Sequence, residues 1–169
     1  MVHIRRLSLF FSSISKLVLV LLLPFLSCKI GSDSSGQITA GTSQGYKTLL
    51  TFVSDQVGTF KLSNVKVFFV LTEEDCYNCN RSFAYFVEKY VDNPKCFFII
   101  INEKDAFDVS SFEGKQNTVF SDFFTVNKLG INRTCAIIIN DSATKIDTII
   151  AIEARHFDQA IHSISQKIR

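Results

Sequence analysis

Two apolar runs dominate the middle of the chain: Val65-Lys66-Val67-Phe68-Phe69-Val70-Leu71 and Cys96-Phe97-Phe98-Ile99-Ile100-Ile101. Both are short, rich in β-branched and aromatic residues, and closed by polar turn residues. A half-buried strand alternates apolar with polar, whereas a near-continuous run predicts a strand covered on both faces. Between them, from Cys76 to Asn93, Cys79, Phe83, Phe86, Val87 and Tyr90 recur at the offsets i, i+4, i+7, i+8 and i+11. Those offsets share one helical face, and Asn93-Pro94 stops the helix. Strand, helix and strand in that order predict a right-handed parallel unit.

A second strand pair follows, Cys135–Ile139 and Ile146–Ile152, flanking Asn140-Asp141-Ser142. That turn cluster is short enough to join antiparallel neighbours. The chain ends with Phe157, Ala160, Ile161, Ile164 and Ile168 at helical offsets, an amphipathic helix covering one face of the sheet. Leu49, Leu50, Val53 and Val57 predict a helix before the first strand. Thr118 to Leu129, with Val119, Phe120, Phe123 and Phe124, predicts another before the second pair. The stretch from Asn102 to Asn117, including Ala106, Phe107, Val109 and Phe112, is long for a connection. It leaves the C-terminal end of a covered strand, the rim where open α/β sheets bind ligands.

Composition narrows the classes. A length of 169 residues, 47% apolar and 20% charged, predicts one globular domain with a short extra segment and excludes wholesale disorder. The net charge is +2, but Arg5, Arg6 and Lys16 precede Cys28 in a stretch with no acid, so the remainder carries one more acid than base. A near-neutral body lacks the concentrated basic face that nucleic-acid binding needs. No nucleic-acid partner is expected.

The extra segment is N-terminal. Arg5 and Arg6 precede the apolar run Leu17 to Leu26, which is shorter than a membrane-spanning helix and has the form of an export signal. Phe25-Leu26-Ser27-Cys28 then resembles the lipobox of bacterial lipoproteins. The resemblance implies that residues 1–27 are a signal peptide and that Cys28 is the lipidated first residue of the mature chain. Gly31-Ser32-Asp33-Ser34-Ser35-Gly36 and Gly41-Thr42-Ser43-Gln44-Gly45 read as a flexible polar tether over 28–42, ahead of a folded body from 43 to 169. The expected location is the bacterial cell envelope, lipid-anchored to a membrane through Cys28 and facing the periplasm or the exterior.

The order of elements, with Cys76-Tyr77-Asn78-Cys79 opening the helix after the first strand, resembles the thioredoxin-like superfamily of thiol-disulfide oxidoreductases. The resemblance runs from about Val65 to Arg169. It implies an α/β fold with a central mixed sheet and helices on both faces, and thiol-disulfide exchange with a partner protein. No cofactor is implied. Positions i and i+3 of a first helical turn bring two sulfurs near disulfide reach. Cys76 is then the attacking thiol, stabilised as thiolate by the helix N-terminus, and Cys79 resolves the mixed disulfide. Oxidising compartments suit that chemistry.

The chain departs from the family pattern at three places. Glu73, Glu74 and Asp75 crowd the motif with negative charge, which opposes the helix dipole at Cys76. Val70 stands where a buried carboxylate is expected. Cys135 stands where the family's cis-proline loop meets the penultimate strand, so that Tyr77, Thr134 and Cys135 are expected to line the substrate groove. A cysteine there predicts a third sulfur facing Cys76 and Cys79, which opens a metal site as an alternative. A non-catalytic binding module with a structural Cys76–Cys79 bridge is the other alternative. Cys96, at the opposite end of the sheet, reads as a buried small hydrophobe, and His156 and His162 as surface residues. Asn80-Arg81-Ser82 and Asn132-Arg133-Thr134 match the N-glycosylation pattern, which a bacterial signal renders accidental.

Overall fold

The computed structural model describes residues 38–57, 61–74 and 76–169. Three of its strands, β1 (Val67–Leu71), β2 (Cys96–Ile100) and β4 (Cys135–Ile139), are buried at every position, so each needs cover on both faces. Helix α1 (Ser43–Val57) precedes β1, and α2 (Tyr77–Glu88) joins β1 to β2. Then come β3 (Thr118–Phe120), the single-turn helix α3 (Phe123–Asn127), β4, β5 (Ile146–Ala151) and the terminal helix α4 (Phe157–Ile168). The five strands lie in the order β3-β2-β1-β4-β5. β1, β2 and β3 are parallel, β4 runs antiparallel to β1, and β5 runs antiparallel to β4. The class is therefore α/β, with a five-stranded mixed sheet and helices on both faces.

Alternation along the strands divides the core into two layers. Phe68, Val70, Phe97, Ile99, Cys135 and Ile137 face α1, whose Leu49 and Val53 are fully enclosed among them. Phe69, Leu71, Phe98, Ile100, Ala136 and Ile138 face α2 and α4, which contribute Phe83, Val87, Ala160 and Ile164. This second layer is aromatic: Phe69 packs on Phe83, Phe98 and Tyr90, and Phe98 packs on Phe112.

Helix α2 stops at Glu88, short of Asn93. Residues 89–93 continue as tighter turns, with the Tyr90, Val91 and Asn93 N–H groups donating to carbonyls three residues back. The helix expected over 118–129 is instead a strand followed by one turn. Thr118, Val119 and Phe120 pair in parallel with Phe98, Ile99 and Ile100, and α3 then opens under an Asp122 carboxylate that accepts the Thr125 N–H at 2.8 Å. β4 and β5 form the expected hairpin, its turn held by Asn140 Oδ1, which accepts from the Thr144 and Lys145 N–H groups.

The body also starts earlier than the polar spacer suggests. Ile38 is buried in the α1 layer and donates its N–H to Leu129 O, while Gly41 donates to Ile146 O. Thr42 Oγ1 accepts the Gly45 N–H at the head of α1. A Cβ on Gly45 would sit 2.9 Å from Thr39 N and from Thr42 Oγ1, so the glycine permits a close approach rather than flexibility. Residues 38–42 are thus part of the folded body. The signal, the lipidation residue Cys28 and the earlier part of the tether lie outside the described residues.

Candidate functional site

β1 delivers the chain to its C-terminal edge at Thr72, which is fully buried. There the Thr134 hydroxyl, at the entry to β4, accepts the Thr72 N–H at 3.0 Å and lies 3.2 Å from Thr72 O. This cross-strand clasp fixes the point from which Glu73 and Glu74 depart. Cys76 is the N-cap of α2: its backbone is extended, and its Sγ accepts the Cys79 N–H at 3.3 Å. A sulfur thus takes the place that an oxygen fills at most helix starts. Cys76 and Cys79 form a disulfide with a Cα–Cα separation of 5.2 Å. Cys76 is half-buried, whereas Cys79, one turn deeper, is 6% exposed. The outer sulfur is therefore the one an incoming thiol meets first.

Helix α2 holds the loop in front of it from behind. Asn80 is buried, and its side-chain Nδ2 donates to Glu74 O at 2.6 Å, while its backbone N–H donates to Cys76 O. Asn80 heads the Asn80-Arg81-Ser82 glycosylation match, which hides this role in the sequence. Its position directly after the second cysteine was the available signal.

The long connection after β2 closes the site from the other side, on the rim expected for it. Lys104 donates its backbone N–H to Glu73 Oε1, and its ammonium pairs with Glu74 Oε1 at 3.1 Å. The bond to Glu74 and the charges of Glu74, Glu73 and Glu103 raise the Lys104 pKa above the usual lysine value. This pair is exposed and screened by water, so it positions the loop more than it stabilises the fold. Two of the three acids that crowd the motif in sequence are thereby engaged by Lys104, Glu73 through its backbone N–H and Glu74 through its ammonium. The connection folds back on itself, with Phe107 and Phe112 buried in the α2 layer and Asn102 Nδ2 donating to Phe107 O.

The three expected groove residues separate. Tyr77, between the cysteines, is 53% exposed and open to contact. Thr134 is 1% exposed, with its hydroxyl committed to Thr72. Cys135 is 3% exposed and pairs in register with Val70, so its side chain enters the α1 layer, while Cys76 and Cys79 belong to the α2 layer. The sheet stands between these sulfurs, and the three-sulfur metal site does not form. Among the described residues no peptide bond is cis, and no group of three or more His, Cys, Asp or Glu is placed to hold a metal ion. Cys96 is enclosed at the opposite end of β2, as expected. His162 is exposed and pairs with Gln166, and His156 is exposed ahead of α4.

Burial pushes up both free thiols among the described residues: Cys96 from 9.0 to about 12 against an opposing effect of Lys95, and Cys135 from 9.0 to about 12 against Arg133. A thiol that ionises later in the folded state keeps its proton where the unfolded chain has lost it, so the unfolded state binds fewer protons between those values. Stability is then full below about pH 9 and falls as pH rises toward 12. We expect the urea midpoint to drop between pH 8.5 and pH 10.5, and to drop less in Cys135→Ala. Equal slopes in the two proteins contradict the assignment.

Fold and site together define an α/β domain with a Cys-x-x-Cys disulfide at the first turn of the helix that follows a central strand. No protein-family profile, curated protein or solved structure matches the chain.

Proposed function

We propose that this is a thioredoxin-like thiol-disulfide exchange domain, held to a membrane of the bacterial cell envelope by a lipid on Cys28. The observation that carries the reading is the asymmetry of the pair: Cys76 half-exposed at a helix start, Cys79 buried one turn behind it. Exchange needs that asymmetry, because one sulfur must meet the partner and the other must wait out of solvent. The helix N-terminus favours the Cys76 thiolate once the bridge is opened. The parallel β1-α2-β2 unit followed by the β4-β5 hairpin and α4 supports the family resemblance.

In the reduced protein the Cys76 thiolate attacks one sulfur of a partner disulfide, and the second partner sulfur leaves as thiolate. Cys79 then loses its proton and attacks Cys76 Sγ. The Cys76–Cys79 bond forms, the partner leaves as a dithiol, and two electrons have passed to it. The same steps in reverse oxidise a partner dithiol. Resetting requires a dithiol or disulfide donor in the same compartment.

Cys79→Ser tests this directly. With no resolving sulfur, the mixed disulfide with the partner persists, and a band that collapses on reduction appears in cell-envelope extracts. Such a band is expected for Cys79→Ser and not for Cys76→Ser. Its absence, or its equal presence in both, counts against exchange.

A further inference from the structure

Two depressions flank α2. One, of about 490 Å³, is a notch between Tyr77, the residue after Cys76, and the connection residues 105–109. The other, of about 1020 Å³, is a groove between α2 and α4. They share Arg81, Phe107 and Asp108, so they adjoin as one channel along the helix, lined at its near end by Tyr77 and Asn78, the two residues between the cysteines.

Its walls combine aromatic surface with unpaired acid. Tyr77 and Tyr85 are 53% and 81% exposed, a large apolar area for a free surface, and they stand on one side of α2 on either side of Arg81. Glu88, Asp105, Asp108 and Asp158 line the channel, and none forms an ion pair among the described residues. Two cations oppose these four carboxylates, Arg81 and Lys89. The Lys89 ammonium is folded back over the Phe86 ring, 4.2 Å from its centroid. The channel is therefore net acidic, with exposed tyrosine rings whose faces attract cations.

We infer that this channel receives an extended segment of the partner protein that carries lysine or arginine beside its reactive cysteine. The inference rests on the exchange reading and specifies its substrate. Charge complementarity selects the basic segment, and the presence of Tyr77 and Asn78, which lie between the two cysteines, in the channel wall selects the exchanging partner rather than an unrelated one. The 12 residues of α2 span about 18 Å, which an extended chain covers in about five to six residues. The basic positions thus fall within about six residues of the cysteine. Lysine and arginine stems pack along the aromatic wall while their heads reach the carboxylates.

The test follows the oxidised protein as it is opened by two single-cysteine peptides at low salt, one bearing three lysines and one three glutamates on the same side. Each rate is divided by that peptide's rate toward a small neutral disulfide, which removes differences in intrinsic thiol reactivity. Dithiothreitol is run alongside. The lysine peptide is expected to react about tenfold faster than the glutamate peptide, with the ratio shrinking in high salt. In Asp108→Asn/Asp158→Asn, both surface positions, the ratio falls to about threefold or less. Equal rates, a preference for the glutamate peptide, or a ratio that survives the double substitution overturns the basic-segment assignment while leaving exchange in place. A bridge that dithiothreitol cannot open overturns the exchange reading itself, and this inference with it.

Discussion

Cys76→Ser is expected to abolish exchange while leaving a folded protein. Serine keeps the size and an N-capping oxygen at the head of α2, where Cys76 Sγ now accepts the Cys79 N–H. It removes the only half-exposed sulfur of the pair, and the buried Cys79 cannot replace it as nucleophile. The stability cost is bounded by the shortness of the loop that the bridge closes. With a sequence separation of 3, the chain-entropy relation gives a contribution of about 2 kcal/mol. Loss of every exchange reaction with a modest fall in stability is therefore the expected pattern, read by intact mass after alkylation and by urea titration. A purely structural bridge reverses it: stability drops, and whatever the domain binds is still bound.

Phe69→Ala is expected to cost about 3–5 kcal/mol, the largest effect of any single truncation considered. Phe69 is fully enclosed in β1, with ring centroids 5.4 Å from Phe98 and 5.8 Å from Phe83, and Tyr90 stacked at 6.3 Å. Its neighbours come from β2, α2 and the turn beyond it, so the cavity cannot be filled by one side chain moving. Against a total stability of about 5–15 kcal/mol, this threatens folding altogether. With an m-value of about 2 kcal/mol per molar, the urea midpoint falls by about 2 M. Tyr85→Ala, which removes a larger but 81% exposed ring, should shift it by less than about 0.5 kcal/mol in stability. Similar shifts for the two would mean that the Phe69 cluster is not the core of this layer.

The parts of the fold that were legible in the sequence are those whose pattern is long or repeated. The α2 face from Cys79 to Val87, the α4 face from Phe157 to Ile168 and the runs of β1 and β2 all appear where expected. β3 was hidden because three residues are too few to show a period, and Phe120, Phe123 and Phe124 imitate a helical face across the strand–turn boundary. Ile38 was hidden as a single apolar residue in a polar stretch. Its burial depends on a backbone bond to Leu129, distant in sequence.

The error at Cys135 has a different origin. Burial on both faces makes Cys135–Ile139 uniformly apolar, and a uniform run conceals which residues point which way. Parity is set by register: Cys135 lies opposite Val70, and both belong to the α1 layer. Thr134, one residue earlier, commits its hydroxyl to the Thr72 backbone instead. The motif itself was legible because its chemistry is local, needing only two cysteines one helical turn apart. The Asn80 and Lys104 contacts that hold its loop were not, since the first links a side chain to a backbone oxygen six residues back and the second spans 30 residues.

The most direct test of exchange is the redox equilibrium of the Cys76–Cys79 pair, with the protein held across a thiol buffer series, trapped by alkylation and read by intact mass. Cys96 and Cys135 are buried and should remain unlabelled until the protein is unfolded, which leaves the pair as the signal from the body. A single two-electron transition between about −120 and −270 mV is the predicted result. A bridge still closed below about −300 mV would contradict exchange and identify the disulfide as structural.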